Sequence, residues 1–179
     1  MNRVLLDELL ALLKAEGLTP TQLHSDDVAH SEGIHLLLQL PIQGRHSSSG
    51  GCSIHLYEQT QQLVVYSHMA EAVPESERVR LALMLTRINY GLMFGNFELD
   101  MDDGELRYKT SLVAEAMPLN ATIVRNLVYG NFFGLDRYIR ALQAALADPQ
   151  ADTIALIAEA EGTSTGTALD FSAPTATRQ

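Results

Sequence analysis

Six histidines, His24, His30, His35, His46, His55 and His68, fall in one stretch of the chain, and imidazole suits zinc, nickel and copper. If the β-type runs that carry them pair, His35 and His55 share a sheet face with His68 close by, and three imidazoles can hold a divalent metal. No carboxylate or Cys stands at a recognised ligand spacing and there is no HExxH, so the polar face of an open sheet explains the same residues. The expectation is no cofactor and no metal, with a His35, His55, His68 site as the alternative. Asp100, Asp102, Asp103 and Glu105 invite a calcium loop, but with Gly104 at its sixth position the first position is Leu99, and the pattern fails. Gly162 to Gly166 spells G-x-S-x-G, which works only on a strand-to-helix turn with a histidine downstream. Here every histidine lies upstream. Asn120-Ala121-Thr122 reads as a helix cap rather than a glycosylation acceptor, and Cys52 as a structural thiol. There is no Walker loop, dinucleotide fingerprint, SxxK or kinase signature, so no catalytic residues are expected.

The chain around these residues has 179 positions, enough for one compact domain. Twelve Lys and Arg against 22 Asp and Glu give a net charge of −10, which argues against gripping a phosphate backbone. One Cys excludes a disulfide and paired-cysteine zinc sites and points to a reducing, cytoplasmic setting. The first twenty residues carry Asp7, Glu8, Lys14 and Glu16 within their apolar run, unlike a signal peptide. No membrane span is expected.

Helical spacing of Val4, Leu5, Leu9, Leu12 and Leu13 predicts an amphipathic helix stopped at Gly17, with a polar connector over 18–33. Alternation predicts strands over 34–42, 52–58 and 63–70, joined as an antiparallel meander around a loop at 43–51. Pro74 opens a helix whose segment 79–93 is apolar on most faces. Residues 96–111 read as a hairpin turning at Asp103-Gly104 through a two-residue type I′ loop. That register sets Met101 against Leu106, Leu99 against Tyr108, Asp100 against Arg107 and Glu98 against Lys109. Asn120 caps a third long helix, which Gly130 and Gly134 can bend or split, and 152–161 adds a short helical piece. The expected layout is a single α+β domain over 1–147, a helical extension over 148–161 and a disordered tail over 162–179.

The stretch from Glu75 to about Leu142 resembles the bacterial YbjN family, described as sensory-transduction regulators. The resemblance is carried by TRINYGLMFGNFELDMDDGELRYKTSL (86–112), with Asn89, Gly95-Asn96-Phe97-Glu98, Asp103-Gly104 and Arg107-Tyr108-Lys109, and by Leu135-Asp136-x-Tyr138 in the last long helix. It implies the fold of type III secretion chaperones: a five-stranded antiparallel sheet covered by helices, in the order α-β-β-β-α-β-β-α. It implies no catalytic residues.

Such proteins are small, acidic cytoplasmic homodimers that bind extended segments of a partner. The resulting expectation is a non-enzymatic protein-binding module, a chaperone-like adaptor or regulator of signalling, with a His-dependent metal protein or a small-molecule sensor as the alternatives. Leu81, Leu85, Ile88, Leu92, Leu37 and Tyr57 are the candidate interface residues, and exposed sheet edges the candidate site for an added strand. The acidity concentrates in the hairpin, the N-terminal half and the tail, so a charge-selected partner should be basic.

Overall fold

The structure, a computed structural model, describes residues 4–23, 34–39, 49–115 and 118–162. Helix α1 (Val4–Ala15) ends where Gly17 takes φ 74°, letting Leu18 N–H return to Leu13 O at 2.9 Å. Six strands follow in one antiparallel sheet: β1 (Thr19–Leu23), β2 (Ile34–Gln39), β3 (Ser49–Tyr57), β4 (Gln62–Met69), β5 (Asn96–Leu99) and β6 (Leu106–Val113), in the spatial order β1-β2-β3-β4-β6-β5. Between β4 and β5 runs α2 (Glu75–Gly91), and after β6 come α3 (Ala121–Ala147) and α4 (Thr153–Glu161).

The α+β class, the meander β2-β3-β4, the helix caps and the short terminal helix match the sequence reading. Among the described residues the sheet has six strands rather than five. The extra one is β1, taken from sequence for polar connector, because Thr19-Pro20-Thr21-Gln22 offers no apolar alternation and contains proline. Proline is tolerated here because β1 pairs only with β2, so the missing N–H need not serve a second neighbour. Of the expected loop at 43–51, Ser49 to Gly51 belong to β3, and the rest lies outside the described residues, as does the expected tail from 163 on.

The hairpin also differs in register. Leu99 pairs with Leu106, Glu98 with Arg107, Phe97 with Tyr108 and Asn96 with Lys109, a two-residue shift from the expected pairing. The tip is therefore not a two-residue turn. Asp100 Oδ1 accepts from Asp102 N–H at 2.7 Å and Asp103 Oδ1 from Glu105 N–H at 2.8 Å, while Gly104 adopts φ 85° and gives its N–H to Asp100 O. Arg78 closes the tip from α2, donating through Nη1 to Met101 O and Asp102 O at 3.0 Å each.

One face of the sheet is apolar and carries every helix. Leu5, Leu6, Leu9 and Leu13 of α1 pack on Cys52, Ile54, Leu56, Leu63 and Val65 together with the first half of α3. Leu81, Met84, Leu85 and Ile88 of α2 pack on Phe97, Leu106 and Tyr108 with the second half of α3 and Ile157 of α4. Helix α3 runs unbroken through Gly130 and Gly134 rather than splitting there. Both glycines mark close approaches instead, since a Cβ would meet the ring of Phe94 at position 130 and of Tyr108 at position 134.

Candidate functional site

Two surfaces stand out. The first is on α2, where Val79, Leu83, Thr86 and Tyr90 recur at three- and four-residue spacing along the side turned away from the core. Val79 and Leu83 are each 66% exposed and Tyr90 is 96% exposed. Met93 is also exposed just past the helix end, while the Phe94 ring turns toward Gly130 of α3, and Ile154 of α4 lies beside Thr86 and Tyr90. Tyr90, Thr86, Arg87 and Gly91 on α2 face Ile154, Ile157, Ala158 and Glu161 on α4 across an open groove of about 570 Å³. Helix α4 is held beside α2 through α3: Arg137 donates to Ala160 O and Glu161 O, which caps the helix, and Tyr138 O–H donates to Glu161 Oε1 at 3.1 Å.

This face corrects the sequence reading of α2. Leu81, Leu85 and Ile88 are nearly inaccessible inside the chain's own core, and Leu92 is half-buried beside them. A partner cannot reach the first three without unfolding the domain. Tyr57 is half-buried on the opposite side of the sheet, and Leu37 stands in register between Thr21 and Ser53 on β2. The accessible apolar residues are the intervening Val79, Leu83 and Tyr90. A heptad count along α2 shows them, but it is hidden in a helix whose apolar residues look continuous.

The free sheet edges are poor docking sites for an added strand. Asn89 at the end of α2 accepts from Phe97 N–H at 2.8 Å and donates to Phe97 O at 3.0 Å, occupying both backbone groups of Phe97 on β5 as a neighbouring strand would. At the other edge β1 carries Pro20.

The second surface is the sheet face opposite the helices. Ser53 and His55 of β3, Tyr66 and His68 of β4, Arg107 and Lys109 of β6 and Glu98 of β5 all project there, with Glu105 at the hairpin base. Glu98 receives Arg107 Nε at 3.0 Å and Lys109 Nζ at 2.9 Å. Burial works against its carboxylate, but those hydrogen bonds and charges outweigh it and hold the Glu98 pKa below the ordinary value. Arg107 also lies 4.3 Å from the centroid of the Tyr66 ring. Burial raises the Tyr66 pKa against the opposing pull of Arg107 and Lys109.

The histidine trio is partly assembled by the fold. His35 and His55 are direct cross-strand partners, and the Nε2 atoms of His55 and His68 lie 3.3 and 3.5 Å from Ser53 Oγ. Among the described residues no three His, Cys, Asp or Glu side chains are grouped closely enough to hold a metal. Cys52 faces the core, where burial raises its thiol pKa to about 12, leaving it unionised.

A family model described as "Putative bacterial sensory transduction regulator", the YbjN model, matches residues 5–131. The chain belongs to the YbjN family. The matched region takes in the sheet, α1, α2 and the first part of α3, and stops short of α4. Among solved structures, the chain is similar to one titled "Crystal structure of YbjN, a putative transcription regulator from E. coli", at 19% identity and a TM-score of 0.51. That match covers 73% of this chain and 85% of the other, and it shows a shared YbjN fold. No curated protein matches the sequence. No described helix is long and apolar enough to cross a membrane.

Proposed function

We propose that this YbjN protein is a non-enzymatic regulator, a chaperone-like adaptor that binds a segment of a partner protein and works as a homodimer in the cytoplasm. The observation that carries this is the exposed stripe Val79, Leu83 and Tyr90 on α2. Burying a side chain of the Val, Leu or Phe kind is worth roughly 1.5 to 3 kcal/mol relative to leaving it in water, and contiguous apolar patches mark interaction surfaces. A second copy laid antiparallel along α2 brings Val79 of each chain near Leu83 of the other. The groove between α2 and α4 then stays open beside Tyr90 for an apolar partner segment. The family description as a regulator of sensory transduction supports a role exerted through binding. A single, deeply buried thiol suits the reducing cytoplasm.

Sedimentation equilibrium of the full chain tests the dimer. The expected species has twice the 19.6 kDa chain mass, and Leu83→Glu converts it to monomer while circular dichroism keeps its native form. A wild-type protein that is strictly monomeric at micromolar concentration removes the homodimer. Affinity capture from native cell extract with wild-type protein and with Tyr90→Glu then tests the groove, since the partner bound there should be lost from the variant.

A further inference from the structure

Helix α4 ends at the groove it helps to form. Gly162 closes the helix in the left-handed conformation at φ 61°, next to Glu161 on the groove wall, so the chain leaves α4 at one end of the groove. Seventeen residues follow in the sequence, among which Leu169 and Phe171 are the only large apolar side chains and Asp170 between them is the only acidic one. Thr163 to Thr167, before them, are small and polar and offer no rival anchor. On the groove itself Tyr90 and Ile154 are exposed apolar side chains. Arg87 beside them is exposed and makes no ion pair among the described residues.

We propose that residues 168–171 of this chain, Ala-Leu-Asp-Phe, dock in the groove between α2 and α4. The inference rests on the reading of that groove as a site for an apolar segment and adds its regulation, since a partner segment must displace the chain's own. The reach is sufficient. Seven residues lead from Gly162 to Leu169 and extend to about 23 to 25 Å. The α4 wall from Ile154 to Glu161 is only about 10 Å long. In an extended segment residues 169 and 171 share one side, so both apolar side chains enter together while Asp170 stays at the rim. There the guanidinium of Arg87 supplies the opposite charge, which selects this segment over an equally apolar basic one. Two apolar anchors on a free peptide bind weakly, but a tether this short raises their local concentration to about the millimolar range.

The test compares the full-length protein with its Leu169→Ser/Phe171→Ser double variant by NMR. The Tyr90 ring signals and the Ile154 and Ile157 methyl signals should differ between the two, with those of β3 and β4 unmoved. A synthetic peptide of residues 163–179 should return the groove signals of the double variant toward their wild-type positions. It should bind wild type at least tenfold more weakly than the variant, because the chain's own segment already fills the groove. Arg87→Glu in the double variant should weaken the peptide, and Asp170→Arg in the peptide should restore it. Identical groove signals in the two proteins overturn the proposal, and so does equal peptide affinity for both. Unlabelled wild-type protein that shifts the groove signals of an isotope-labelled double variant at equal concentration assigns the site to a second copy's segment, and overturns it as well. None of these measurements needs a partner, so a groove that holds residues 168–171 but captures no other protein fails the functional reading alone.

Discussion

Glu98 shows how one residue ties the strands of the open face together, with Arg107 directly opposite and Lys109 diagonal to it. Sequence parity alone is satisfied by the observed register and by the expected one two residues away, because a shift of two keeps every side chain on its face. What selects between them is the tip, where Asp100 and Asp103 cap backbone N–H groups and Arg78 binds the turn carbonyls, contacts that no strand pattern encodes. The opposite-charge content of the hairpin was therefore legible, and the pairing was not. Since the Glu98 carboxyl titrates below its unfolded value of about 4.3, its contribution is complete above that pH and disappears as pH falls through the lower folded value. Glu98→Gln should cost about 1 kcal/mol in urea unfolding at pH 7, since both partners are partly exposed. At pH 3 the gap from wild type should be smaller. A gap that is unchanged by pH would mean that packing, not charge, holds this position.

Helix α2 divides the legible from the hidden at the level of elements. Its start at Pro74 and its apolar content are evident from sequence, but which apolar residues face inward depends on the sheet beneath, so Leu81, Leu85 and Ile88, candidates for a binding interface, lie instead in the chain's own core. Leu81→Ala should cost about 2 to 5 kcal/mol by opening a cavity, while Leu83→Ala, on the exposed stripe, should stay within about 0.5 kcal/mol in the monomer. Equal losses in thermal unfolding of the two variants would refute the assignment of faces. The glycines of α3 separate from sequence expectation in the same way. Gly134 looks like a helix weakness, yet a Cβ there runs into the Tyr108 ring, whose hydroxyl is tied to Phe94 O. Gly134→Ala gains about 1 kcal/mol of helix propensity and loses about 1 to 3 kcal/mol to overpacking, a net loss of about 1 kcal/mol. Gly91→Ala, whose Cβ meets only Glu161 Oε1 at 3.7 Å, should instead stabilise by about 0.4 to 1 kcal/mol. The two substitutions should move the urea midpoint in opposite directions.

Among the described residues the core falls into two apolar clusters, one under α1 with β3 and β4, the other under α2 with β5 and β6. They share α3, whose early residues Val124, Leu127 and Val128 belong to the first and whose later residues Leu135, Tyr138, Ile139 and Leu142 belong to the second. Asn131 stands between those sets and is fully buried. Its Nδ2 donates to Val65 O on β4 at 2.8 Å and to Tyr108 O on β6 at 3.0 Å, pinning the helix to two strands at once. In sequence this residue is only a polar interruption in an apolar stripe, which is why its part was not legible there. Losing both bonds leaves two buried carbonyls without that donor, so Asn131→Ala should cost about 2 to 3 kcal/mol. Because α3 is common to both clusters, the chain should unfold as one unit. Hydrogen exchange would then give the slowest amides of β3 and of β6 the same opening free energy in the wild type, and Asn131→Ala would lower both equally. A drop confined to one strand would show two clusters that open separately, with α3 only touching both.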